Sequence, residues 1–108
     1  MRQLARKLLQ DNRVPAIVRR GDANSAGGVV TGPCAPSVLV NGRPVSVPGD
    51  NVTPHPCCGR RGCGSHCSAK TKGGSGTVFA EGRPVILVGN TDTCGHGRIM
   101  GSPDVFVG

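Results

Sequence analysis

The sequence predicts an all-β domain, a small body of β-hairpin repeats around a pseudo-threefold axis with a metal where the repeats converge. Three observations predict it. Glycine and proline number 18 and 9 of 108 residues, a composition that breaks helices. A strand-and-turn pattern recurs three times along the chain. All three histidines and five of the six cysteines fall between His55 and His96. Hydrophobic residues make up only 36% of the chain, and Phe79 and Phe106 are its sole aromatics. So thin a core needs help from some other stabilising device. The length fits one small domain.

The chain opens with a basic arm over residues 1–14. Leu4, Ala5, Leu8 and Leu9 share one face at helical spacing, with Arg2, Arg6 and Lys7 elsewhere around the turn. Asp11, Asn12 and Pro15 stop the pattern. The arm reads either as a docking helix or as a frayed tail. It also concentrates the charge: residues 1–20 hold six basic side chains against Asp11, leaving +2 of the net +7 for the rest. No apolar run reaches the roughly 20 residues of a membrane-spanning helix, and the basic start is not followed by the apolar stretch of a secretory leader.

The repeats occupy the domain proper, residues 15–108. Gly21-Asp22, Gly49-Asp50 and Gly89-Asn90 each mark a turn, and each turn is followed by a Val-rich run. Asn41-Gly42-Arg43-Pro44-Val45 returns as Glu81-Gly82-Arg83-Pro84-Val85. An Asn-Gly or Glu-Gly pair between Val-rich segments reads as a tight hairpin, and the following proline suits a position that donates no ladder hydrogen bond. The third run, ending at Gly108, reads as a truncated hairpin. A loop of about residues 55–68 reads as an insertion in the second unit. Where three such units meet, the cross-section is too narrow for apolar packing, and a bound metal adds its binding energy to folding.

His55, Cys57, Cys58, Cys63, His66, Cys67, Cys94 and His96 are the candidate ligands. Thiolate and imidazole are the donors of tetrahedral zinc, with iron as the other candidate. The competing reading is a disulfide framework, since six cysteines make an even number. Histidines interleaved with the thiols serve no purpose in such a framework, and nothing marks an oxidising compartment. Cys34 stands apart and reads as a small buried hydrophobe. No catalytic constellation emerges: Asp22 and Asp50 are explained by turn bonding, Asp92 has no paired carboxylate, and no nucleophile or phosphate-loop motif is present. The reading is therefore not an enzyme. The alternative, a zinc-binding nucleic-acid module using the basic arm, lacks the aromatics on which bases stack.

The stretch "GDANSAGGVVTG…SVLVNGRPVSVPGDNV…GTVFAEGRPVILVGNTDTCGH…GSPDVFVG" resembles the proline-alanine-alanine-arginine (PAAR) repeat proteins from about Val14 to Gly108. The resemblance implies a conical β fold capping, one copy per trimer, the β-helical spike of a contractile injection apparatus. That apparatus is a phage tail baseplate or a type VI secretion system. The protein would be made in the bacterial cytoplasm, carried outward without a signal peptide, and pushed transiently into a target cell envelope. It would have no nucleic-acid partner and no small-molecule substrate. A metal, usually zinc, is implied near the sharp end. Cys94 matches the cysteine of the third turn, and His55 falls in the second, where the family also places a ligand. The first turn departs from the pattern, with Ala26 where a histidine is expected. His66 and His96 are the natural replacements, giving three His and one Cys. Cys57, Cys58, Cys63 and Cys67 then form a second site, share the first, or pair with one another. The literal Pro-Ala-Ala-Arg motif is absent, its places being Pro44-Val45-Ser46-Val47 and Pro84-Val85-Ile86-Leu87.

Overall fold

The computed structural model describes residues 14–55 and 64–107. The basic arm up to residue 13, and Cys57, Cys58 and Cys63, lie outside the described residues. Among the described residues, six short strands form three antiparallel ribbons. β1 (Val30–Gly32) pairs with β4 (Asn51–Val52), β2 (Ala35–Val40) with β3 (Arg43–Val45), and β5 (Phe79–Ala80) with β6 (Arg83–Pro84). A 3-10 turn at Gly64–His66 is the only helical element among the described residues. The fold is thus all-β, a cone-like hairpin repeat.

The two hairpins have the predicted tight turns. Asn41 and Gly42 have φ of 55° and 78°, Glu81 and Gly82 of 53° and 79°. Two successive left-handed residues give the turn whose twist matches that of paired strands. Glu81 is an unusual residue for this conformation, and its carboxylate is anchored there by accepting the Ser37 N–H at 2.8 Å.

The threefold relation is written in the backbone. Val18 N–H donates to Ile86 O, Ile86 N–H to Ser46 O, and Ser46 N–H to Val18 O, each at 2.9 Å. This closed triangle is buried completely. Four residues beyond each corner stand Asp22, Asp50 and Asn90. A side-chain oxygen of each accepts the backbone N–H three residues back, from Arg19 at 2.8 Å, Val47 at 2.9 Å and Leu87 at 2.8 Å. The preceding glycines, Gly21, Gly49 and Gly89, have φ of 91°, 91° and 104°, a region closed to most side chains. Burying Asp22 and Asp50 would be costly unpaired. Arg19 donates two side-chain bonds to Asp22, while the Cys34 N–H and the Ser46 hydroxyl bond Asp50.

The third hairpin is not truncated but completed by the start of the chain. Phe106 pairs with Ala16, Ile17 N–H donates to Val105 O at 3.1 Å, and Val107 N–H to Pro15 O at 2.9 Å. Ala16, Pro44 and Pro84 are therefore equivalent, and so are their partners Phe106, Leu39 and Phe79. Sequence order concealed this, because the two strands lie at opposite ends of the chain.

Ile17, Ala35, Val45, Val47, Ala80 and Val85 form the larger apolar cluster, with Val38, Val40, Val105 and Val107 packed on it. Val18, Val30, Cys34 and Ile86 form the smaller. Each fully buried Val or Ile contributes about 1.5–3 kcal/mol, and no aromatic joins them. Both phenylalanines lie outside the core, Phe79 57% and Phe106 41% exposed. No helix among the described residues is long and apolar enough to cross a membrane.

Candidate metal centre

Beyond the triangle, the units run into turns that carry the candidate ligands. In the third unit Gly95 N–H donates to Asp92 O, and Asp92 N–H to His96 O, both at 2.9 Å. Gly95, with φ 93°, makes the reversal. In the second unit His55 is buried, its Nδ1 2.9 Å from Thr53 O. A carbonyl can only accept, so Nδ1 carries the proton and Nε2 keeps its lone pair for a ligand. Gly28 forms the floor beneath this ring. A Cβ there would stand 2.6 Å from His55 Nδ1 and 2.8 Å from Val52 Cγ1. His66 arrives on the 3-10 turn, its carbonyl accepting the His55 N–H at 3.3 Å.

One donor atom from each of His55, His66, Cys94 and His96 lies within 4.8 Å of every other. His55 Nε2 stands 3.2 Å from His66 Nδ1 and 3.5 Å from Cys94 Sγ. Ligands at zinc's usual bond lengths form tetrahedral edges of about 3.3–3.6 Å, so the donor set fits such an ion. His96 Nδ1 lies 3.2 Å from Ser25 Oγ, which leaves its Nε2 for coordination. Desolvation, then the neighbouring His96 and His55, lowers the His66 pKa from its ordinary value and favours the neutral, ligating form.

Under the turns lies a buried polar layer. Asp92 Oδ2 forms an ion pair with Arg98 Nη2 at 3.1 Å and accepts from Asn24 Nδ2 at 2.9 Å. Arg98 also donates to Asp22 O and Gly28 O, bonding the first turn to the third. Burial lowers the Arg98 pKa, while Asp92, Asp22 and Cys94 oppose that shift.

The structure therefore gathers His55, His66, Cys94 and His96 and leaves Cys34 out. Cys34 is buried in the smaller apolar cluster, where desolvation, then Asp50, pushes its thiol up to about 12. Cys67 is disulfide-bonded, whereas Cys34 and Cys94 are free thiols. Pairing is one of the roles that the sequence leaves open to Cys67. Sequence reasoning overlooked Ser25, Gly28, Asn24 and Arg98. Aligning the units on the triangle finds two of these: Asn24 then matches Asp92 and Gly28 matches His96, while Ala26 matches Cys94.

A family described as PAAR motif matches residues 20–101 of the chain. No curated protein matches it.

Proposed function

Since the chain belongs to the PAAR-motif family, we propose that it is the metal-stapled tip capping the trimeric β-helical spike of a contractile injection machine. That machine is a phage tail baseplate or a type VI secretion system, and the tip leads its spike through a cell envelope. The role is mechanical and no reaction is assigned to it. His55, His66, Cys94 and His96 hold the metal, which supplies folding energy where the apolar core gives out. Zinc suits three imidazoles and one thiolate best.

The observation that carries docking is the exposed trio Leu39, Phe79 and Phe106. These residues are equivalent by their pairing with Pro44, Pro84 and Ala16, and all three are large, apolar and turned away from the core. A homotrimer presents the same surface three times. A monomer with three near-copies of one apolar contact can meet all three at once, giving one tip per spike. In chain order the trio precedes each triangle corner or pairs with a residue that does, and the metal ligands follow. Docking face and closed apex are thus served by different parts of each unit.

Native mass spectrometry with the trimeric spike protein of the same machine tests this reading. The expected complex holds one zinc-loaded tip per trimer. A variant carrying Leu39→Ser, Phe79→Ser and Phe106→Ser should keep its zinc and lose the complex. Wild-type binding by that variant would overturn the assignment of the docking face.

A further inference from the structure

We propose that the forward half of the cone is a lipid-facing surface, a ring of cations interrupted by two exposed aliphatic side chains that fits an anionic bilayer. The proposal rests on the spike-tip reading above for which end leads, and on charge and exposure for the rest. The three units share one bonding pattern just past the triangle. The N–H groups of Gly21, Gly49 and Gly89 donate to the carbonyls of Val30, Thr71 and Arg98 at 2.9, 2.8 and 2.9 Å. The N–H groups of Val30, Thr71 and Arg98 return to the carbonyls of Asp22, Asp50 and Asn90 at 3.1, 2.9 and 2.7 Å. Val30, Thr71 and Arg98 are therefore equivalent, and each is 1% exposed. Side chains alternate along extended backbone, and the next residues, Thr31, Lys72 and Ile99, are all exposed.

Four cations and two aliphatic side chains occupy this ring. Lys70 and Lys72 flank Thr71, and both are exposed. Arg20 is exposed two residues beyond the Val18 corner, and Arg43 Nη1 donates to its carbonyl at 3.2 Å. Arg43 is 41% exposed and stands 3.7 Å from the carboxylate of buried Asp22, which Arg19 already pairs. The third unit instead carries Ile99, 63% exposed, and Met100, 46% exposed. Carboxylates are placed the opposite way. Asp22, Asp50 and Asp92, beyond the triangle, are all buried. Among the described residues the exposed carboxylates are Glu81 and Asp104, bonded to Ser37 and Asn41 in the hairpins. Lipid phosphates attract such a ring, and the attraction fades within a Debye length. Ile99 and Met100 supply the apolar part that enters the headgroup boundary. Nucleic acid offers them nothing to enter, and the two phenylalanines on which bases could stack lie in the hairpins.

The test uses the full chain, zinc-loaded, with the arm neutralised by Arg2→Gln, Arg6→Gln, Lys7→Gln and Arg13→Gln so that the ring alone is read. Sedimentation with vesicles of mixed phosphatidylglycerol and phosphatidylcholine, against pure phosphatidylcholine, measures partitioning over a range of salt. The arm-neutral chain should bind the anionic vesicles, less so as salt rises, and scarcely bind the neutral ones. Adding Arg20→Gln, Arg43→Gln, Lys70→Gln and Lys72→Gln should cut partitioning about 100-fold or more, each cation near such a surface being worth roughly fivefold. Ile99→Ser with Met100→Ser should cut it about 10-fold at every salt concentration. Zinc content and melting temperature, measured in each variant, separate loss of fold from loss of lipid. An arm-neutral chain that ignores anionic vesicles, or binds both kinds equally, overturns the lipid-facing ring. So does displacement of the vesicles by a DNA duplex at equal phosphate concentration. A spike complex without vesicle binding sinks the ring alone, and vesicle binding without a spike complex sinks the tip reading and leaves the ring standing.

Discussion

The first and third turns share one backbone and differ in what they carry. Asn24 N–H donates to Gly28 O at 2.8 Å just as Asp92 N–H donates to His96 O at 2.9 Å, and Gly27 N–H bonds Asn24 O as Gly95 N–H bonds Asp92 O. Yet the first turn brings no donor to the candidate metal cluster, and the third brings two. Asn24 Oδ1 is used locally, accepting the Ala26 and Gly28 N–H groups at 2.9 and 2.8 Å. Asp92, in the matching place, turns its carboxylate to Arg98 and Asn24 instead. The turn is thus a scaffold that closes with or without metal chemistry. A turn without ligands is braced from within, and one with ligands is braced from below.

The largest effect should come from removing the metal. Structural zinc sites are worth roughly 10–16 kcal/mol of apparent binding energy in small domains. Chelation should lower the melting temperature by more than ~15 °C, since each kcal/mol is worth about 4–8 °C in a domain this small. Calorimetry with and without chelator measures it. If the comparison holds, hydrogen exchange after chelation should rise at Thr93–Gly97 well before it rises at Asn24–Gly28.

Next is the brace they share. Arg98 is buried and pairs with Asp92 while bonding the first turn at Gly28 O. Arg98→Met leaves Asp92 charged and buried, which costs about 3–5 kcal/mol. Arg98→Met with Asp92→Asn should recover much of that loss in urea denaturation. If the double variant is as unstable as the single, the charge pair is not what couples the turns.

Glycines separate the turns further. Gly28→Ala drives a methyl into His55 and Val52, with Asn24 Nδ2 2.9 Å away, an overpacking worth about 1–3 kcal/mol. It should also weaken zinc binding, although Gly28 is no ligand. Gly27 and Gly95 face open space but have φ of 87° and 93°, so alanine there should cost about 1 kcal/mol in either turn. Equal losses at all three positions, read by thermal melts, would show that His55 does not rest on Gly28.

Much of this was legible in the sequence because it is carried by local chemistry. Asn41-Gly42 and Glu81-Gly82 have few alternatives to a tight hairpin, and the Gly-Asp pairs bond their own backbones within four residues. The ligand cluster was legible as far as its residue types. What hid were relations between distant segments. Phe106 pairs with Ala16 across nearly the full chain, so the third unit seemed unfinished. Ser25 and Arg98 serve the site only once the first turn stands beside the third, and no spacing announces that. The pairing of Cys67 needed the path of the chain, because four thiols within eleven positions allow several outcomes.

The smallest effect concerns how neighbouring hairpins hold together, where the two matching turn residues act in opposite senses. Asn41 Nδ2 donates to Asp104 at 2.9 Å, while Glu81 accepts from Ser37. Hydrogen bonding from Asn41 lowers the Asp104 pKa, and bonding from Ser37 lowers that of Glu81. A carboxyl depressed on folding adds stability above its unfolded pKa and loses it as pH falls through the folded value. Melting temperature should therefore drop modestly as the pH is taken from 5 toward 3. Glu81→Gln and Asp104→Asn should each flatten part of that slope. Both groups are exposed, so salt should weaken the effect. A slope unchanged in both variants would assign the acid sensitivity elsewhere and would make the joints between hairpins apolar in origin.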